Sequence, residues 1–203
     1  MKTKLLVGLG NPGKQFENTR HNIGFALLDN LLQHFRHSID YEIKENESKK
    51  FYGKLVLVTS ANSSTKLILL YPQTFMNLSG KSVKATLDWF KIKNLKQLLI
   101  IHDDVSLPLG KIRWTSNGGA GGQHGVESII EHLAGQKGFN RLKFGIGPDP
   151  GGDRRSKYVL EKFTSKDEDL LNRSSTLALK SLIQFTDDKP VTEIMNEFNG
   201  LTA

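Results

Sequence analysis

Residues 4–25 read KLLVGLGNPGKQFENTRHNIGF, and the order of their patterns sets the fold class. Lys4–Leu9 is a short apolar run closed by glycine, the mark of a buried strand. A twelve-residue loop, GNPGKQFENTRH, follows. Ile23, Leu27, Leu31 and Phe35 then recur at helical spacing, and Leu28 and Leu32 widen the stripe to a face. A strand, a loop and an amphipathic helix in that order open an α/β protein.

The same alternation continues. FYGKLVLVT (51–59) and KLILLYP (66–72) read as two strands of a hairpin-like pair. Val83, Leu87 and Phe90 mark a helix within TFMNLSGKSVKATLDWF (74–90). QLLIIHDD (97–104) is a buried strand ending in polar residues, and GKIRWTS (110–116) and RLKFGIG (141–147) are further strands. A glycine-rich loop, NGGAGGQHG (117–125), leads into the helix VESIIEHLAG. Residues 37–50 and the basic stretch PDPGGDRRSK (148–157) read as loops, and two helices are expected over 167–186 and 190–198. The expectation is an α/β chain with a single domain over 1–203. It is a three-layer sandwich with a twisted, mostly parallel mixed sheet flanked by helices.

With 37% hydrophobic and 24% charged residues, the 203-residue chain can bury a substantial core. No apolar run reaches membrane-spanning length, so no membrane association is expected. The basic-then-apolar start is too short for a secretory signal and runs into a Gly/Pro turn. Cysteine is absent, which excludes disulfides and thiolate zinc sites. These features point to the cytoplasm. The net charge of +7 suits a polyanionic partner such as nucleic acid, or simply keeps the chain soluble.

Several motifs fit other chemistries poorly. GLGNPG (8–13) matches the dinucleotide fingerprint, but Pro12 has no N–H for a pyrophosphate and Asp29 falls inside the helix. GLGNPGKQ fails as a Walker loop because Gln15 stands where the magnesium-binding hydroxyl belongs. HDD (102–104) lacks a second set of metal ligands, and His34 and His37 read as a solvated helix end. No G-x-S-x-G occurs.

In α/β sheets, sites gather at the carboxyl ends of strands. The polar residues there are Asn11, His21, Asn22, Asn77, Asp103, Asn117, Gln123 and His124. Amides suit a peptide backbone or a developing oxyanion. A histidine held by a carboxylate suits a general base acting on water. That combination points to hydrolysis of a peptide-like or acyl substrate without metal or covalent nucleophile. The competing reading makes each a turn or cap residue, since Asn and Asp favour turns for local reasons. Residue type alone leaves both open.

Taken together, VGLGNPGKQFENTRHNIGF (7–25), PQTFMNLSGKSV (72–83), HDDVSLPLGKIR (102–113), GGAGGQHG (118–125) and RLKFGIG (141–147) closely resemble the bacterial-type peptidyl-tRNA hydrolases, in the same order and over nearly the whole chain. The resemblance implies cleavage of the ester between a peptide and the 3′-terminal ribose of tRNA, recycling tRNA from stalled translation. It implies His21 as the base that activates water and Asp103 as its partner, with no cofactor and no metal. Asn11 and Asn77 would hold the peptide and the reacting carbonyl. Phe16, Phe75, Met76, Gln123 and His124 would complete the substrate groove. Arg113 and Lys143 fall on basic positions associated with tRNA contact, and Lys111 and Arg141 are expected to join them in binding tRNA. Lys137, Arg154 and Arg155 are further candidates for its phosphates. A monomer is expected, with 148–185 as a lid. The chain departs from the family at Gln123-His124-Gly125, where His-Asn-Gly is usual, at Phe16, where tyrosine is common, and at Thr115, where some members are basic. The alternative is a non-catalytic RNA-binding member of the same fold.

Overall fold

A computed structural model describes residues 2–201, with the side chains of Glu47 and Ser48 excepted. Seven strands form one sheet: β1 (Lys2–Gly8), β2 (Tyr41–Ser48), β3 (Gly53–Ser60), β4 (Thr65–Pro72), β5 (Leu98–Asp104), β6 (Ile112–Thr115) and β7 (Asn140–Gly145). Their order is β2-β3-β4-β1-β5-β7-β6. Helices α1 (Ile23–Arg36), α5 (Glu168–Thr186) and α6 (Val191–Phe198) cover one face. Helices α2 (Ser79–Trp89) and α3 (His124–His132) cover the other. The result is the expected three-layer α/β sandwich with a mixed sheet.

Strand alternation divides the core in two. On β1, Leu6 faces α1 and α5, whereas Leu5 and Val7 face α2 and α3. On β5, Leu99 and Ile101 take the α1 face, and Leu98 and Ile100 the other. Asp103 therefore inherits the α1 face by parity, which is where His21 precedes α1. The chain leaves β1 to build β2–β4 on one side and then crosses to β5 on the other. The carboxyl ends of β1 and β5 thus flank the point where strand order reverses, the place where such sheets form crevices.

The parallel set is smaller than the sequence suggests. Only β4-β1-β5-β7 are parallel, and three of the six pairings are antiparallel. The difference arises in 37–50, expected as a loop, which holds the edge strand β2 paired with β3. Tyr41 and Ile43 pack on the core while charged residues fill most of the remainder. Such an edge needs few apolar residues, and its charges discourage pairing with another chain. The basic stretch after Pro148 likewise contains an unexpected short helix, α4 (Arg154–Val159).

An ionic cluster ties the opposite end of the sheet to α5. Lys4, 3% exposed, lies 2.5 Å from Asp188 and also donates to the Phe185 carbonyl. Lys2 and Thr65 donate to the same carboxylate. Burial pushes the Asp188 carboxyl up, but the bonds from Lys2 and Lys4 outweigh it and hold the pKa at about 2. Asp188→Asn strands the buried Lys4 ammonium, at a cost of about 1–2 kcal/mol after discounting the partial exposure of Asp188. Because the folded pKa is depressed, this stabilisation is full above the ordinary 3.8 and disappears as pH falls through about 2. Urea unfolding should show the gap between variant and wild type at pH 7 and its shrinkage toward pH 2.

Candidate active site

The long loop after β1 is drawn tight by its own side chains. Asn22 Oδ1 accepts the backbone N–H of Asn11, and Asn22 Nδ2 donates to the Asn11 carbonyl, both at 2.9 Å. Asn22 therefore stitches the loop rather than capping α1 with its side chain. Arg20 is buried, donates to the Lys162 carbonyl at 2.7 Å, and stands 4.4 Å from the Tyr158 ring. It braces the loop from behind. Gly24 allows the first turn of α1 to press on the strands, since a Cβ there would lie 2.4 Å from the Ile101 carbonyl oxygen. The dinucleotide geometry is not built: Lys14–Phe16 form one 3-10 turn, and α1 starts only at Ile23.

These restraints deliver His21 to Asp103. His21 Nδ1 lies 2.9 Å from Asp103 Oδ2. Asp103 is 3% exposed and His21 9% exposed. Burial pushes the imidazole pKa down, but the neighbouring carboxylate outweighs it and raises the value above 6.5. Burial pushes Asp103 up, and the charge and hydrogen bond of His21, with a bond from Gln123, hold it below the usual carboxylate range. A carboxylate on Nδ1 places the Nδ1 proton between the two groups and leaves Nε2 as the basic nitrogen. Among the described residues Nε2 has no hydrogen-bond partner.

A cleft of about 770 Å³ opens over this pair. Asn11 Oδ1 accepts the Met76 N–H at 2.8 Å, so the Asn11 amide nitrogen is the group left to serve the cleft. Phe75 and Asn77 are exposed along one wall, with Met76 buried between them. His124, the first residue of α3, is exposed on the same cleft. Gln123 is buried, with its Nε2 3.0 Å from Asp103 Oδ1. The facing wall is made by Asp149, Arg155, Ser156 and Leu160. Sequence reading reached this wall through the lid expected over 148–185 and the basic character of Arg155, and the structure pairs that side chain with Asp149. The exposed Leu160 was not anticipated, because an isolated leucine in a polar stretch carries no signal. Of the expected lid, 148–160 lines the cleft, whereas α5 belongs to the core.

Other expected residues stand differently. Phe16 packs edge-on against Phe75 at 6.4 Å and lies outside the cleft lining. Arg141 is 1% exposed, and its guanidinium is turned inward, donating to the Gly118 and Gly119 carbonyls. It anchors the glycine-rich loop. Lys111 donates to the Leu201 carbonyl at 2.7 Å. Arg113 is exposed beside Lys143 in the β6–β7 register, and Lys143 pairs with Asp104 at 2.9 Å next to the cleft. His102 lies fully buried, donates through Nδ1 to the Asp103 carbonyl, and burial drives its pKa down to about 4. The described residues contain no group of three or more histidine or acidic side chains able to hold a metal ion. Nor do they contain a helix long and apolar enough to cross a membrane.

Comparison with known proteins agrees with this architecture. A family model described as peptidyl-tRNA hydrolase matches residues 5–203. A peptidyl-tRNA hydrolase of Shouchella clausii is 40% identical over 97% of this chain and 100% of its own length. That of Bacillus subtilis is 38% identical over 97% of this chain and 98% of its own. A crystal structure of peptidyl-tRNA hydrolase from Acinetobacter baumannii superposes with a TM-score of 0.87 at 32% identity, covering 98% of this chain and 96% of that one.

Proposed function

Because the chain belongs to the peptidyl-tRNA hydrolase family, we propose that His21 is the base with which it hydrolyses peptidyl-tRNA. The observation that carries this reading is the buried His21–Asp103 pair at 2.9 Å on the lining of the cleft, joined through Nδ1 so that Nε2 is the nitrogen left for water. Nε2 takes a proton from water as the oxygen attacks the ester carbonyl. Asp103 keeps the Nδ1 proton in place and stabilises the imidazolium that forms. The tetrahedral intermediate then collapses, the His21 imidazolium gives its Nε2 proton to the departing ribose oxygen, and the peptide leaves as a carboxylic acid.

The Asn11 amide nitrogen and the Asn77 side chain hold the peptide main chain and the reacting carbonyl, and Phe75 and Met76 form the apolar floor. Amides aimed at main chain accept many peptides because they ignore side-chain identity. His124 faces the substrate end from the start of α3. Arg113 and Lys143 meet tRNA phosphates beside the cleft, which makes binding salt-sensitive. Lys111 is a weaker candidate because it is turned to the C-terminal segment. The whole of 1–203 acts as one domain, as a monomer in the cytoplasm, with no metal in the reaction.

The test is single-turnover release of peptide from a peptidyl-tRNA with and without a chelator. The same rate in both is expected, with free peptide and deacylated tRNA as products. Loss of release on chelation, restored by a divalent cation, rejects the metal-free mechanism. A folded protein that binds tRNA without cleaving it points instead to an RNA-binding role.

A further inference from the structure

We propose that Gln123 is a positioning residue, holding the Asp103 carboxylate so that its second oxygen stays on His21, rather than a contact for substrate. The proposal rests on the reading of His21 as the base.

The argument starts from the amide's own orientation. Gln123 is the N-cap of α3, and its Oε1 accepts the Val126 N–H at 2.9 Å. A backbone N–H can only donate, so the oxygen must face it, and the Nε2 group must face the other way. Nε2 then meets Asp103 Oδ1 at 3.0 Å and Met76 Sδ at 3.3 Å. Both amide protons are thereby engaged inside the protein, and the side chain is buried. No donor remains for a substrate.

Asp103 shows the complementary half. Its two oxygens are divided between two donors, Oδ1 to Gln123 and Oδ2 to His21. A carboxylate bonded at one oxygen can rotate about its Cβ–Cγ bond, and one bonded at both cannot without losing a contact. The anchor comes from the start of α3, which packs on the opposite face of the sheet from α1, so Asp103 is held from a second element besides the His21 loop. It is also neutral over the whole working pH range, unlike a titrating side chain. Close packing accompanies the placement: a Cβ on Gly125 would lie 2.5 Å from Met76 Sδ and 3.0 Å from Gln123 Oε1, so the glycine leaves both side chains their room.

Two variants test this. Gln123→Glu keeps an oxygen for the Val126 N–H but turns the donor facing Asp103 into an acceptor. The added negative charge favours the His21 imidazolium, so the acidic midpoint of the kcat profile should move to higher pH. Gln123→Leu removes the donor without adding charge, and kcat should fall about 10–100-fold with KM within threefold of wild type. Both are measured on folded protein beside His21→Asn. A raised KM with unchanged kcat and pH midpoint makes Gln123 a substrate contact and overturns the proposal. Unchanged kcat and midpoint per active molecule in both variants, with only a lower melting temperature, reduces Gln123 to a helix cap and overturns it too. If His21→Asn retains the wild-type rate, the base assignment itself falls and the positioning role falls with it. If that variant is inactive while both Gln123 variants behave as wild type, only the positioning role is lost.

Discussion

His21→Asn should lower the rate of peptide release by roughly 10²–10⁴-fold, the usual worth of a positioned general base. Asparagine is the informative replacement. Its amide nitrogen can still donate to Asp103 from near the place of Nδ1, so the buried carboxylate is not left alone. Alanine would strand an anion that is only 3% exposed, and unfolding would then confuse the result. An asparagine cannot take a proton from water at any working pH, so chemistry is lost while tRNA affinity remains. Single-turnover release with enzyme in excess measures the first, and competition by deacylated tRNA measures the second. Release at the wild-type rate by a folded variant would remove His21 from the mechanism.

The second large effect is expected at Asp103. Asparagine there offers one oxygen and one NH₂ where the native carboxylate offers two acceptors. Two donors face it, Gln123 Nε2 and His21 Nδ1. Gln123 cannot turn over without surrendering the Val126 N–H, so the new oxygen must face Gln123 and the new NH₂ must face His21. His21 then accepts on Nδ1, its proton moves to Nε2, and the base points a hydrogen at the water it should deprotonate. Loss of turnover on the order of 10³–10⁴-fold follows, as when a triad histidine is held in the wrong tautomer.

Loss of the carboxylate also removes what raises the His21 pKa. A base of this kind works only when neutral, so with His21 in that role the wild-type rate should climb with pH through a midpoint above 6.5. In Asp103→Asn the residual activity should show that midpoint moved to lower pH. A kcat profile with the same midpoint and height in both proteins would sink the pairing of these residues.

Much of the site was legible in one dimension. The apolar run, the loop and the amphipathic stripe of 4–36 specify strand, loop and helix through local periodicity. Parity along 97–104 places Asp103 on the same face of the sheet as Leu99 and Ile101, because successive strand residues point to opposite faces. The resemblance across five motifs then supplied the chemistry. The weak points of the reading share one cause. Edge strand β2 was missed because a strand that packs one face and pairs one edge needs little apolar sequence. Composition likewise cannot tell a guanidinium in solvent from one turned to the Gly118 and Gly119 carbonyls, as that of Arg141 is.

By itself the sequence determined the α/β class, the periodic elements and the kinds of group gathered at strand ends, since these follow from forces between near neighbours along the chain. Tertiary structure alone decided which donor meets which acceptor: Asn22 on Asn11, Arg20 beneath the loop, and Gln123 on the far oxygen of Asp103. A hydrogen bond depends on tenths of an ångström and on direction. Gln123 and Asp103 are twenty residues apart, and only their packing across the end of the sheet brings them to 3.0 Å.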